Sequence, residues 1–152
     1  MSTPFQLVID CREPELLARF WAAALGYVLE PAPKGFATWD DWRRDIGLPD
    51  SELGIGSDSI VDPGGDGPRI WFRVDSEAKV VKNRLHLDIH VSGGPTVVDR
   101  TAPLATRMQR VNTEARRLTD LGATFTGALS TDGLDLYAVG MTDPEGNEFD
   151  IN

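Results

Sequence analysis

The chain has 152 residues, of which 15 are basic and 24 are acidic, so its formal net charge is −9. This length suits one compact domain with a full hydrophobic core, and the negative charge argues against a nucleic-acid partner. Cys11 is the only cysteine, which excludes an intrachain disulfide and, beside two histidines, a thiolate-rich zinc site. No apolar run reaches the length of a membrane span and the N-terminal residues lack a signal-peptide pattern, so we expect a cytoplasmic protein with no membrane partner.

The first half of the chain predicts a strand, a helix and three further strands. Phe5–Asp10 alternates between apolar and polar residues, which is typical of a half-buried strand. Apolar residues then recur at helical spacing from Leu16 to Leu25, and Gly26 supplies a helix stop. The strands predicted to follow are Tyr27–Glu30, Leu53–Val61 and Arg69–Val74.

The second half repeats this order. Leu85–Val91 alternates like the first strand, and Arg107–Leu121 has a helical apolar stripe. The strands predicted after it are Ala123–Thr126, Leu134–Met141 and Glu148–Ile151. Leu–Gly closes both helices, and an Asp–Pro turn precedes a late strand in both halves. The repeat predicts a single α+β domain over residues 1–152, built from two β-α-β-β-β modules at about 1–75 and 84–152.

The loops differ between the halves. The second half carries an insertion at Ser92–Thr106, and the first half carries one at Asp40–Pro49. Trp39 directly precedes the latter, and Trp42 lies within it. They belong either to a lid over a ligand or to packing that only fixes the inserted loop.

Alternation also predicts which side chains face a ligand, because each helix must cover one face of its sheet. The residues expected to face the helices in the first strand of each half are Leu7, Ile9, Leu85, Leu87 and Ile89. The polar or aromatic residues left on the opposite faces are Gln6, Asp10, Arg69, Trp71, Arg73, His86, Asp88, His90, Glu148, Asp150 and Asn152.

Three of these residues suggest a metal centre. Gln6, His86 and Asp150 lie on three strands, and an amide oxygen, an imidazole nitrogen and a carboxylate suit Zn, Mn, Fe or Ni. Open coordination positions would let such a metal polarise a substrate oxygen. The alternatives are that no metal binds, with His86 only hydrogen-bonded, Gln6 orienting a substrate or a water, and Asp150 at a solvated strand end.

Other residues suggest substrate binding. Trp71 and Arg73 have no core role on a polar sheet face and suit a pocket wall, with burial at a dimer interface as the alternative. We expect Trp39 and Asp88 to contact the substrate as well. For Asp88, close to a strand end, the alternative is a rim or surface position.

Three segments, in this order, resemble the glyoxalase-like members of the vicinal oxygen chelate superfamily: Phe5–Asp10 leading into Leu17–Gly26, then Lys82–Asp88, then Asp143–Phe149. The resemblance covers essentially the whole chain. It implies two β-α-β-β-β modules around an open, barrel-like cleft (the glyoxalase/bleomycin resistance/extradiol dioxygenase fold), a homodimer, and often a divalent metal.

In that superfamily the metal is held by side chains from the first and last strand of each module, which here implies Gln6, Trp71, His86 and Asp150. Trp71 departs from the pattern because indole cannot ligate a metal. The remaining three residues are similar to the ligand set of fosfomycin-resistance enzymes and extradiol dioxygenases, which usually have two histidines and one glutamate.

These observations lead to competing hypotheses about function, all with a small-molecule ligand. The first is a lyase or isomerase acting on an oxygenated metabolite, in which a metal stabilises an oxyanion. Without a metal, His86 or Asp150 would act as a general base and Arg73 would hold an anionic group. The second is a bleomycin-resistance-type protein that sequesters a cationic or aromatic molecule without catalysis, which the acidic charge and four tryptophans favour. A degenerate structural copy is the third.

Overall fold

The computed structural model describes residues 3–92 and 102–152. The chain divides into two compact units, with the boundary between Ala78 and Lys79. Most of the insertion predicted at Ser92–Thr106 lies outside the described residues. Within them, no helix combines the length and the apolar character that crossing a membrane requires.

The first unit contains a four-stranded mixed sheet in the order β1-β4-β3-β2. Its elements are β1 (Gln6–Cys11), α1 (Pro14–Leu25), β2 (Val28–Leu29), α2 (Trp39–Asp45), a 3-10 turn (Asp50–Glu52), β3 (Ser59–Val61) and β4 (Arg69–Val74). Strands β1 and β4 are parallel, and the other neighbours are antiparallel. The parallel register sets Gln6 beside Arg69 and Val8 beside Trp71.

Helix α1 covers one face of this sheet. It begins with Pro14, whose fixed backbone suits a first turn, and it ends at Gly26, whose left-handed φ of 73° turns the chain so that the N–H of Tyr27 also reaches the carbonyl of Ala22, at 2.9 Å. The helix packs on β3 and β4. The core side chains at this contact are Leu17, Phe20, Trp21, Ile60, Ile70 and Phe72.

The second unit has the same architecture, with a mixed sheet in the order β5-β8-β7-β6. Its elements are β5 (Asp88–Ile89), α3 (Leu104–Asp120), β6 (Thr124–Leu129), β7 (Ala138–Thr142) and β8 (Glu148–Ile151). Strands β5 and β8 are parallel, with Asp88 beside Asp150. The buried core side chains of this unit are Val111 and Leu118 from α3 and Val139, Met141, Phe149 and Ile151 from the sheet.

The internal repeat includes the turn before the last strand of each unit. Asp62 Oδ1 accepts a hydrogen bond from the N–H of Gly64 at 2.8 Å, and Asp143 Oδ1 accepts one from Glu145 at 3.0 Å. Each aspartate accepts at least one further backbone N–H. The two mixed sheets with their helices confirm the predicted α+β class.

The strand predicted over Leu53–Val61 is wrong in its first six residues. Of this range, only β3 pairs with neighbouring strands, which are β2 and β4. The residues between the 3-10 turn and β3 form no regular element. Gly54 and Gly56 have left-handed φ angles of 80° and 69°, which interrupt a strand.

The strand predicted over Leu85–Val91 is likewise too long. Only β5 forms, and Leu85, predicted to face the helix, is 86% exposed. The chain before β5 is tethered by side chains instead of a strand ladder: Glu148 accepts from the N–H of Asn83 at 3.0 Å and pairs with Lys79 at 2.9 Å. An edge segment held in this way has no need to bury its alternate residues.

Candidate functional site

A cavity of about 820 Å³ lies within the first unit. Its walls include three tryptophans, of which Trp39 and Trp42 come from α2 and Trp71 comes from β4. The other apolar lining residues are Pro33, Ile46, Leu48, Ile55 and Val74. The polar lining residues are Gln6, Arg43, Ser51, Glu52, Asp58, Arg69 and Arg73. A largely apolar concavity with a few polar groups is typical of a small-molecule site.

Local sequence explains the helix that carries two of these rings. Thr38 and Asp41 form a capping box, with Thr38 Oγ1 accepting from the Asp41 N–H at 3.1 Å and the Asp41 carboxylate accepting from the Thr38 N–H. Spacing of three and four residues puts Trp42 and Arg43 on the helix face of Trp39. The two indoles meet edge to face, with their centroids 5.5 Å apart. The inserted segment is therefore a short helix with an aromatic face.

A buried carboxylate joins the two walls of the cavity. Asp58 Oδ2 forms an ion pair with Arg43 Nη2 at 3.0 Å and accepts a hydrogen bond from Trp71 Nε1 at 3.1 Å. The Arg43 side chain is 5% exposed and also pairs with Asp40 at 2.9 Å. Because Arg43 belongs to α2 and Trp71 to β4, one carboxylate oxygen holds the inserted helix against the sheet.

A second network fixes Gln6 and Arg69, which form the polar end of the cavity. Arg69 Nε donates to Glu30 Oε2 at 2.8 Å, and Arg69 Nη1 donates to Gln6 Oε1 at 2.9 Å. Arg69 Nη2 also lies 2.6 Å from Glu30 Oε2 in an ion pair. Ser59 Oγ donates to the same Glu30 oxygen at 2.7 Å. Burial raises the pKa of Glu30, but the hydrogen bonds from Arg69 and Ser59 outweigh it and hold that pKa below its usual range. Glu30 is therefore ionised and anchors the guanidinium.

Arg73, predicted to hold an anionic group, lines the cavity but already has an anionic partner. Its guanidinium donates to both carboxylate oxygens of Asp10, at 2.8 and 3.0 Å. Both side chains are about half exposed, so water screens this pair.

The predicted residues of the second unit form a separate cluster. His86 Nδ1 lies 3.6 Å from Asp150 Oδ2, and Lys82 Nζ lies 3.0 Å from His86 Nε2. Asp88, predicted to bind substrate, is exposed, and its carboxylate accepts from Asn152 Nδ2 at 3.5 Å. The structure thus brings His86 and Asp150 together, while Gln6 belongs to the first unit.

The donor chemistry of the three predicted metal ligands does not fit a divalent cation in this arrangement. Gln6 Oε1 accepts from the Arg69 guanidinium and His86 Nε2 faces the Lys82 ammonium, so two of the three donors already face a positive charge. No group of three or more His, Cys, Asp or Glu side chains suited to a metal occurs in residues 3–92 and 102–152. A metal at Gln6, His86 and Asp150 remains a prediction.

Two important residues were not singled out from the sequence. The helical spacing of Trp39, Trp42 and Arg43 is a signal that identifies Arg43 in retrospect. Asp58 gave no such signal, because it lies inside a predicted strand and its partners are far away along the chain.

The fold and cavity define a protein of repeated β-α-β-β-β modules with a ligand-sized site. The chain belongs to the glyoxalase-like domain family, whose model matches residues 6–152. This family membership confirms the predicted resemblance to glyoxalase-like proteins. None of the curated proteins searched matches the chain.

Solved structures share the fold at low identity. A glyoxalase/bleomycin resistance protein/dioxygenase family enzyme from Burkholderia phytofirmans PsJN is 18% identical, with a TM-score of 0.55 over 97% of this chain and 94% of that one. The fosfomycin resistance protein FosX from Mesorhizobium loti is 9% identical, with a TM-score of 0.55 over 99% and 91%. A FosX variant from Listeria monocytogenes, complexed with Mn(II) and dihydroxypropylphosphonic acid, is 9% identical, with a TM-score of 0.58 over 100% and 90%.

Proposed function

We propose that the chain binds a small aromatic molecule in the cavity of the first unit. The observation that carries this proposal is that Trp39, Trp42 and Trp71 line one cavity. Indole rings offer large flat surfaces on which another ring can stack. Two of them are also held in place, because Trp71 donates to Asp58 and Trp39 Nε1 donates to the carbonyl of Glu30 at 2.9 Å. Fixed rings lose little conformational entropy when a ligand binds.

Ligand-observed NMR with naphthalene tests this proposal. We expect binding to the wild type and a loss of about tenfold in affinity in Trp42→Leu, because the ligand loses an aromatic contact. Phe125→Leu is the matched control, since Phe125 is an exposed aromatic residue of the second unit, outside the cavity. Absence of binding to the wild type, or an equal loss in both variants, would contradict the proposal.

A second candidate function is proton transfer, as a lyase or isomerase acting on an oxygenated metabolite would require. It is supported by the position of His86 between Lys82 and Asp150. A neutral imidazole that accepts from Lys82 at Nε2 carries its proton on Nδ1, the nitrogen nearest the Asp150 carboxylate. When a substrate displaces the exposed Lys82 side chain, the Nε2 lone pair is free to accept a proton, and the Asp150 carboxylate beside Nδ1–H stabilises the imidazolium that forms.

Proton exchange measures this second function directly. Small hydroxyketones are incubated with the protein in D₂O, and loss of the C–H signal beside the carbonyl is followed by NMR. We expect exchange with the wild type and with His90→Gln, the control in the same unit, and none above background with His86→Gln. Exchange that is absent in the wild type, or equal in all three proteins, would exclude His86 as the base.

A further inference from the structure

The hydrogen-bonding groups of the Trp-lined cavity point to a particular class of ligand. We infer that the cavity of the first unit selects an uncharged aromatic compound whose carbonyl oxygen accepts hydrogen bonds from Gln6 and Arg69. This inference rests on the proposed aromatic binding and adds the polar part of the ligand.

The acceptors of Gln6 and Asp58 on the cavity wall already have partners. Gln6 Oε1 accepts from Arg69 at 2.9 Å. Asp58 Oδ2 forms an ion pair with Arg43 and accepts a hydrogen bond from Trp71. A ligand donor placed at these two side chains therefore meets oxygens that are already engaged.

Donors remain at the same place. Gln6 orients its oxygen toward Arg69, which leaves Nε2, and that nitrogen makes no hydrogen bond with any described residue. Arg69 has five N–H bonds, of which one at Nε and one at Nη1 donate to Glu30 and Gln6, so further N–H donors remain on Nη1 and Nη2. The two side chains are neighbours because β1 and β4 pair in register at Gln6 and Arg69. Neighbouring N–H donors on one cavity wall favour a ligand with an oxygen acceptor.

The charge pattern disfavours an anionic group. The three guanidiniums that line the cavity each face a carboxylate: Arg43–Asp58, Arg69–Glu30 and Arg73–Asp10. Glu52, on the exposed 3-10 turn, adds a carboxylate that has no ion pair within the described residues. An anion would thus approach carboxylates without gaining an unmatched cation, and it would lose its own hydration.

A cationic group is disfavoured at the polar end. A cation placed near Gln6 and Arg69 would meet N–H donors and a guanidinium, both of which repel it. A neutral carbonyl oxygen avoids the dehydration cost of an anion and the repulsion of a cation. It also accepts hydrogen bonds from the donors that remain on Gln6 and Arg69.

A series of naphthalene compounds with one variable group tests the inference by ligand-observed NMR. The probes are naphthalene, 2-acetylnaphthalene, 2-naphthoate and 2-naphthylmethylammonium. We expect 2-acetylnaphthalene to bind about tenfold more tightly than naphthalene, and the two charged probes to bind no better than naphthalene.

Two matched variants locate the effect. Gln6→Leu removes the free N–H donors at an exposed position, and we expect it to abolish most of the preference for the ketone over the hydrocarbon. Gln109→Leu is the control, since Gln109 is exposed on α3 in the second unit, outside the cavity, and it should keep that preference. Thermal melting of both variants checks that they fold.

The outcomes separate the inference from the proposed function. Tightest binding of 2-naphthoate or 2-naphthylmethylammonium, or equal binding of ketone and hydrocarbon, would overturn the carbonyl class while aromatic binding stands. Binding of none of the four probes would overturn both.

Discussion

The two units share a scaffold and differ in what their sheets present. In each unit the first and last strands are parallel, and Val8 beside Trp71 corresponds to Asp88 beside Asp150. An indole in the first unit thus stands where the second has a carboxylate. The repeat maintains the backbone pairing and the apolar core, because these are required for folding. The opposite face of each sheet is free to acquire different chemistry.

The connection between the middle strands differs as well. In the first unit β2 and β3 are separated by α2 and its 3-10 turn, whereas in the second unit β6 and β7 are joined by residues 130–137 without a helix. The inserted helix contributes two of the three tryptophans in the cavity. A ligand-sized site therefore arises where an insertion adds a second wall to the repeated unit.

The largest effect is expected at the carboxylate that holds that wall. Asp58→Ala leaves Arg43 buried without its main inter-element partner and should lower the free energy of unfolding by about 3 kcal/mol. Urea denaturation measures the loss. The control is Asp10→Ala, which breaks the exposed pair with Arg73 and should change stability by much less. Equal losses would show that Asp58 does not secure α2.

The second-largest effect is expected at the aspartate turns that precede the last strand of each unit. Asp143 is 3% exposed and accepts backbone N–H bonds from Glu145 and Asn147, so Asp143→Ala should lower the free energy of unfolding by about 2 kcal/mol. Asp62→Ala removes the corresponding bonds in a more exposed turn and should have a smaller effect. A larger loss at Asp62, by the same denaturation assay, would show that burial of the aspartate does not determine the size of the effect.

A pH-dependent contribution to stability is expected from the contacts of Glu148 with Asn83 and Lys79, which tether the chain before β5 in the second unit. The Asn83 N–H and Lys79 lower the pKa of Glu148 from 4.5 to about 2. Because this folded-state pKa lies below the unfolded value, the contribution is present above pH 4.5 and is lost as the pH falls through about 2.

Melting temperatures of the wild type and Glu148→Gln, measured across that range, test this contribution. The variant should show a shallower decline on acidification. Glu77→Gln, whose exposed side chain makes no ion pair in the described part of the chain, should follow the wild type. If the melting temperatures of the wild type and Glu148→Gln fall in parallel with pH, the contacts of Glu148 are not the source of the pH dependence.

The smallest effect is expected from added metal. Since Gln6 and His86 face Arg69 and Lys82, equimolar Mn(II) or Zn(II) should leave the wild-type melting temperature unchanged. A rise in the wild type that disappears in His86→Gln would instead establish the predicted metal site. The FosX variant complexed with Mn(II) serves as the positive control for the assay.

Much of the fold follows from periodicity in the sequence. Arg69–Val74 and Glu148–Ile151 were predicted with the bounds that the structure has, because both are apolar alternations bounded by turn residues. Two predicted strands are too long, each for its own reason. Leu53–Val61 is interrupted by two glycines with left-handed φ angles, and Leu85–Val91 lies at the edge of its sheet, where only β5 pairs with a neighbouring strand.

The sequence by itself determined the repeat, the helix stripes and the placement of Trp71 on a sheet face opposite α1, because these depend on spacing along the chain. Only the tertiary structure decided which side chains meet. The parallel pairing of β1 with β4 sets Gln6 beside Arg69, and the packing of α2 brings Arg43 to Asp58. Such partners are distant in sequence, and no periodicity specifies them, so the polar end of the cavity became visible only in three dimensions.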